Sequence, residues 1–435
     1  MTVLVHAHIV TFDEEFHEYP DGAIVFDESG IRFVGATLPQ VYASLPEQDL
    51  HGALVIPGFC NTHTHLAMVP FRSLADDYRD RLHKFLMPLE NAAMDRRLVF
   101  VATKMAIAEM LLAGTTSAVD MYYFEDEVVR AAKEMGFRLW AGETILDAPS
   151  PDARTWSEGL ERTEETIAAC QKSPLTTPVV APHAPYSLSI GHLEKIVAFA
   201  RERGLMWTMH LSEMPFEVED ARREHGCTPV EWMERHGLLD RDLLAVHLIT
   251  LSEHDKDVLA GRNVPMSHCP GSNLKAGKGT CPVLDLMDRG VVVTLGTDGA
   301  SSGNTLDHFT QLKLAAIAQK TMHHDRALMT ARECAPLGNR NAGFALRAPI
   351  GMLKAGYQAD IAVLSLQSPR MHPLYDPYSA LCYSATGGDV QDVWVAGVRK
   401  VADGELVGID LPALYAEFDD AAKAFKAEAL RRLAE

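Results

Sequence analysis

No stretch of this 435-residue chain comes near the roughly 18 continuous apolar residues that a membrane-spanning helix needs, so no membrane partner is expected. Positive charge is scarce: 40 Lys and Arg stand against 59 Asp and Glu, a net charge of −19. A general binder of phosphate backbones needs a basic footprint, and nucleic acid is excluded as a partner on that ground. An acidic surface serves solubility and names no partner by itself. Cysteine is sparse too, with seven scattered residues and no C-x-x-C pair. That excludes a disulfide framework and fits a reducing compartment, so a cytoplasmic location is expected. The opening Met1-Thr-Val-Leu-Val-His6 has neither a basic region nor a small-residue cleavage site, and reads as a strand.

What is present is globular: 47% hydrophobic and 23% charged residues leave ample material for a large core. The length exceeds one ordinary domain and suits a barrel with a satellite. Residues 1–56 are mostly short β-rich runs (Val3 to Val10, Gly22 to Phe26, Gly30 to Val34), with a helical turn or two near Val41. From residue 57 to 346 the texture becomes strand, loop, helix, repeated. Strands are expected at Phe59–Thr62, Ser117–Met121, Arg138–Glu143, Val179–Pro182, Met206–His210, Leu244–Leu248, Val264–His268 and Val291–Gly296. One intervening helix shows its apolar face at Leu98, Val101, Ala102, Met105, Ala108 and Leu112 and stops at Gly114; another starts at a Ser189 cap and stops at Gly204. Such alternation means parallel sheet, and eight strands favour a (β/α)8 barrel. Residues 347–408 turn β-rich again and are expected to pair with residues 1–56 as a small β-sandwich domain. Residues 409–435 carry one amphipathic helix, about Leu411 to Leu433.

Chemistry concentrates at the expected strand ends. His63-Thr-His65 follows an apolar strand, and residues i and i+2 of an extended segment point to one side, so two imidazoles can reach one ion. A lone H-x-H is a weak signal. His210, His247 and Asp298 strengthen it, because they end the fifth, sixth and eighth strands, and strand ends of such barrels converge on one mouth. Imidazoles with a carboxylate form a borderline-soft set suited to zinc or a similar transition metal. His268 reads as structural, His323 and His324 as a solvated helix end, and the 18 methionines as core filler.

These residues lie in longer motifs: Pro57-Gly-Phe-Cys-Asn-Thr-His-Thr-His65, Ala181-Pro-His-Ala-Pro-Tyr186, Ser267-His-Cys-Pro-Gly-Ser-Asn273, Leu295-Gly-Thr-Asp-Gly299 and Gly351-Met-Leu-Lys-Ala-Gly-Tyr-Gln-Ala-Asp360. With them the chain resembles the amidohydrolase superfamily, in its cytosine/guanine/adenosine-type deaminase branch, and is most similar there to the 5'-methylthioadenosine/S-adenosylhomocysteine deaminases. The resemblance runs over nearly the whole chain. It implies hydrolytic deamination of an aminated purine nucleoside, with one divalent metal, zinc being expected, held by His63, His65, His210 and Asp298. Asp298 would also carry a proton to the leaving ammonia, Glu213 would shuttle one to the ring nitrogen, and His247 would orient the attacking water. Binuclear members carry a bridging lysine after the fourth strand, and Thr177 to Ser187 has none, so one metal is expected.

On the substrate side, Glu90 resembles the glutamate that reads the ribose diol, His183 a histidine beside purine and ribose, and Ser302 a donor to a ring nitrogen. Two departures stand out. Glu143 falls where a carboxylate-binding arginine is found in members that take S-adenosylhomocysteine, with Arg154 loosely matching a second such arginine. Arg81-Leu-His-Lys-Phe85 replaces the usual Trp-Leu, so the aromatic wall over the substrate is either missing or rebuilt. A glutamate at 143 is expected to repel a negatively charged tail, favouring adenosine, 5'-deoxyadenosine or methylthioadenosine over S-adenosylhomocysteine. Deamination of a free base, pterin or guanine is the nearest alternative. Triazine dechlorination, cyclic-amide hydrolysis and a non-catalytic metal-binding scaffold are further ones; Glu213 and the absent lysine count against the two hydrolyses. A small-molecule substrate and further copies of the chain are the expected partners.

Overall fold

Eight parallel strands, all lying in the barrel segment, form one continuous sheet in the computed structural model, which describes residues 1–434. They are Phe59–Thr64, Thr115–Tyr122, Arg138–Ile145, Thr176–Pro182, Trp207–Leu211, Leu243–His247, Met266–His268 and Val293–Leu295. Each pairs with the next in chain order, the topology that strand–helix alternation dictates. All eight expected strands are present, with ends shifted by at most three residues. Each is buried along most of its length, as in a sheet covered on both faces.

Side chains draw the first and eighth strands together. Thr62 Oγ1 donates to Leu295 O (2.9 Å) and lies 2.7 Å from both Thr294 Oγ1 and Ser267 Oγ. Asn61 Nδ2 donates to Thr297 Oγ1 (2.7 Å), its Oδ1 accepts from Thr297 N (3.0 Å), and Asp298 N donates to His63 O (3.0 Å). This seam sets His63 and His65 against Asp298.

The helix over Arg96–Leu112 is capped by Asp95 and followed by Gly114 at φ +79°, beyond the reach of most L-residues. Its expected apolar face is buried or packed, and so are Val99, Phe100, Ile107 and Met110 on other faces. The terminal helix Leu411–Ala421 lies against it, with Arg97 pairing to Asp420 at 2.6 Å. Two details depart from expectation. Ser189 stands at the N-cap of Ile190–Glu202, but its side chain makes no cap bond; its backbone N–H donates to Asp147 Oδ2 (2.8 Å) instead. The C-terminal helix is two segments, Leu411–Ala421 and Lys423–Ala434, joined at Ala422.

Strands from both chain ends form a second, mixed sheet of nine strands. Leu54–Pro57 runs between Thr2–Val10, parallel to it, and Ile361–Leu364, antiparallel to it, which stitches the N- and C-terminal segments together. Its core holds Leu4, Ile9, Ile24, Phe26, Val55, Ile361, Val363 and Trp394. All seven cysteines are buried and unpaired. Among the described residues no helix is long and apolar enough to cross a membrane.

The sheet is tied to the barrel by a buried ion pair. Arg138, first residue of the third barrel strand, reaches both oxygens of Asp360 (Nε to Oδ2 2.8 Å, Nη2 to Oδ1 3.1 Å), and Asp360 Oδ1 also accepts from Ala396 N. Removing one partner of such a pair leaves a buried charge uncompensated. Arg138→Met should therefore lower unfolding free energy by about 3–5 kcal/mol, read as a lower urea midpoint; an unchanged midpoint would discount this link between sheet and barrel.

Candidate metal and catalytic site

Strand direction builds the first half of the site. His63 and His65 stand two residues apart at the end of the first strand, and both rings turn into the barrel mouth, their centroids 4.9 Å apart. His210 comes in from the fifth strand, with its Nε2 3.2 Å from His63 Nε2. Asp298 follows the eighth strand, with Oδ1 3.2 Å from His65 Nε2 and 3.9 Å from His63 Nε2. Ser212, His247, Leu248 and Asp298 take left-handed backbone conformations (φ +51°, +74°, +47° and +59°). Non-glycine residues held this way cost of order 1–3 kcal/mol each and persist where the surroundings over-determine them, as at functional sites.

Second partners fix three of the four rings; His63 Nδ1 is buried without one. A backbone carbonyl only accepts, so His65 Nδ1 donates to Met121 O and His210 Nδ1 donates to His183 O (2.9 Å). In both rings Nε2 is thereby the atom turned to the centre. His247 Nδ1 lies 3.0 Å from Asn273 Oδ1, which turns His247 Nε2 toward Glu213 Oε1 at 3.4 Å. Asp298 Oδ2 accepts from Ser272 Oγ (2.6 Å) and Oδ1 from Gly299 N (2.7 Å).

The donor set fits a metal. Burial, then the neighbouring imidazoles, push His63 and His210 well below the usual histidine range, so both are neutral donors. Two nitrogens each about 2.05 Å from a tetrahedral zinc lie roughly 3.3 Å apart, close to the 3.2 Å between His63 and His210. Burial opposes charge on His65, but the Asp298 carboxylate raises it to about 9; a carboxylate that draws a proton to this point would also draw a cation. Donor atoms of His63, His65 and Asp298 lie within 4.8 Å of one another, as do those of Glu213, His247 and Asp298.

The amidohydrolase family profile matches residues 54–400. The chain belongs to the amidohydrolase family. It is 36% identical over 406 residues to a 5-methylthioadenosine/S-adenosylhomocysteine deaminase of Pyrococcus furiosus, covering 91% of this chain and 94% of the relative. It is likewise 36% identical over 389 residues to a 5'-deoxyadenosine deaminase of Methanothermobacter thermautotrophicus, covering 88% and 90%. The crystal structure of an adenosine deaminase from Xanthomonas campestris with bound zinc superposes with a TM-score of 0.93, at 31% identity and 98% coverage of both chains.

The remaining sequence-derived residues divide. Glu90 is buried and accepts from Tyr122 Oη (2.9 Å); burial raises its carboxyl, against Tyr122 and His65, to about 7. His183 is half-buried, its ring 5.0 Å from His210 and its Nδ1 3.1 Å from Ser187 Oγ; burial lowers it to about 4. Ser302 is half-buried on the short helix after Asp298. Glu143 corrects the expectation built on it. Only 1% exposed, it accepts from Glu125 N (3.0 Å) at the start of a helix, and burial, reinforced by Asp152, pushes its carboxyl well above the usual range. A buried neutral acid repels no substrate tail. Arg154 is exposed ahead of the helix Trp156–Cys170, and its backbone N–H donates to Glu158.

The replaced Trp-Leu segment has taken another task. Arg81 Nη1 donates to Ser301 O (2.6 Å), pinning the loop after Asp298. An aromatic rim comes from elsewhere: Phe216 packs near Tyr186 (5.6 Å) and His83 (6.1 Å), and Tyr186 near His183 (5.9 Å). The sequence reading gave no role to Tyr122, Phe216, Ser272, Asn273 or Lys278. Ser272 and Asn273 lay inside a quoted motif; the others had no local signal. Elemental analysis of gently purified protein should give close to one transition-metal equivalent per chain, and Asp298→Asn should reduce it severalfold; two tight ions would refute a single centre.

Proposed function

We propose that this protein is a hydrolytic deaminase of adenosine-type purine nucleosides, releasing ammonia, with one metal at the barrel mouth. The observation that carries the reading is the convergence of Glu213, His247 and Asp298 on the centre formed by His63, His65 and His210. The relatives' names, all of them deaminases of such nucleosides, support the substrate class. His63, His65, His210 and Asp298 would hold the ion, whose chemistry is to lower the pKa of a water enough to make it a nucleophile near neutral pH.

The chain's own groups move the protons. Burial raises Glu213, but His247, Lys278 and His210 outweigh it and hold the carboxyl at about 2, so Glu213 meets the substrate as a base. It accepts a proton from the attacking water and delivers it to the ring nitrogen beside the attacked carbon. His247, held by Asn273, orients that water. Asp298 carries the second proton to the amine, which leaves as ammonia. Glu90 receives the ribose hydroxyls, with His183 and Ser302 along the purine and the Phe216–Tyr186 rim above. Burial, which disfavours the charged form of Glu143, weakens the charge argument built on that residue against S-adenosylhomocysteine.

The decisive experiment is ammonia release across adenosine, 5'-deoxyadenosine, methylthioadenosine, S-adenosylhomocysteine, guanine and a pterin, with wild type and Glu213→Gln. The nucleosides should be turned over, and the variant should keep its metal while losing about 10²–10⁴-fold in kcat. Near-full turnover by Glu213→Gln would end the proton-shuttle assignment, and turnover of free bases alone would end the nucleoside reading. Glu90 gives a separate pH test. Its carboxyl is neutral below about 7 and ionised above, and the ionised form is the better acceptor for two hydroxyls. KM for adenosine should fall as pH rises through that point, while Glu90→Gln or a 2',3'-dideoxynucleoside should lack this dependence.

A further inference from the structure

Lys278 lies in a loop with no catalytic assignment, yet its ammonium is inside the site. The loop follows the short helix Pro270–Lys275, which carries Ser272 and Asn273. Gly277 and Gly279 flank the lysine at φ +64° and +112°, conformations that favour glycine, and Lys278 N donates to Asn273 O (3.0 Å). The backbone therefore folds back over its own helix, and the side chain turns inward. Lysines ordinarily keep the ammonium in water, and Lys275 does so, pairing with Asp76 at 2.9 Å on the exposed side. Lys278 Nζ instead pairs with Glu213 Oε1 and lies 3.4 Å from Ser272 Oγ, the hydroxyl bonded to Asp298.

We propose that Lys278 is a positioning residue that clamps the proton-shuttling carboxylate of Glu213; the inference rests on the deaminase reading above. Glu213 Oε1 is gripped from two sides, by Lys278 Nζ and by His247 Nε2 at 3.4 Å. Among the described residues Oε2 has no hydrogen-bond partner, and it is not one of the buried unpartnered polar atoms, so it is the oxygen open to a ring nitrogen. Beyond Lys278 and the His247 and His210 imidazoles, which all favour the ionised carboxylate, the groups around it are neutral or acidic. Asp298 shares its cluster, Glu217 accepts from Glu213 N (3.1 Å) beneath it, and His183 and Tyr186 are neutral rings. Lys278 is the lysine that holds Glu213 against these acids. Fixing one oxygen fixes the direction of the other, and a misplacement of about 1 Å can cost roughly 10²-fold in rate.

The test uses Lys278→Met, Lys278→Gln and Lys278→Arg in the full-length metal-loaded protein, each alone and combined with Glu213→Gln, on the compound turned over fastest by wild type. Met and Gln should each lower kcat by roughly 10–100-fold with KM within about threefold of wild type and metal content unchanged, and Arg should restore part of the loss. In the Glu213→Gln background Lys278→Met should add little, since nothing remains to clamp. Wild-type kcat in Lys278→Met and Lys278→Gln overturns the inference, as does a raised KM with unchanged kcat, which would make Lys278 a substrate contact. Additive losses in the double variant overturn it too. If Glu213→Gln alone stays active, the deaminase mechanism fails; if only the lysine variants are silent, that mechanism stands without the clamp.

Discussion

Everything at the mouth depends on the seam where the barrel's two end strands meet. His63 and Asp298 are far apart in the chain, and their side chains meet because Asn61, Thr62, Thr294 and Thr297 bond across the first and eighth strands while Asp298 N donates to His63 O. The seam is polar and buried, so each bond left unmade would strand a desolvated group. That penalty specifies one register. A slip would unpair the threonines and separate the histidine pair from the carboxylate, leaving no place where three imidazoles and an acid face one point.

The surrounding protein then sorts many acids into two charge states. Asp298 and Glu213 are held ionised, the first by His65 and its neighbouring imidazoles, the second by His247, Lys278 and His210. Asp120 on the second strand, Glu125 at the start of the helix after it and Glu143 on the third strand are all buried, and burial dominates and raises all three. Glu217 is likewise pushed up to about 8. Acids with separated proton affinities divide the work: some move protons or hold a cation, others act as neutral hydrogen-bonding groups. Within the mouth this sorting keeps Asp298 and Glu213 ionised while Glu90 sits at about 7.

Much of this was legible in the sequence for reasons that are local. Alternation along a strand puts His63 and His65 on one side whatever surrounds them, and apolar runs closed by His210, His247 and Asp298 mark strand ends. The barrel strands and the discontinuous outer sheet followed from periodicity and motif together. The failures are also local in kind. Ser189 does stand at the helix N-cap, but its hydroxyl makes no cap bond. Glu143 reads as a charge in a cleft until the helix beginning at Glu125 closes over it.

By itself the sequence determined the parallel strand order and the family and placed His63, His65, His210, His247 and Asp298 at strand ends, because each rests on spacing and motifs that short segments carry. Tertiary structure alone decided that Glu143 is buried and neutral, that Arg154 stands outside, that the aromatic rim comes from Phe216 and Tyr186, and that Lys278 points inward to Glu213. Those outcomes depend on what packs against a side chain from elsewhere in the chain. A loop residue's direction is set by backbone conformations such as Gly277 and Gly279 and by a partner 65 positions away, and neither is encoded in the spacing around it.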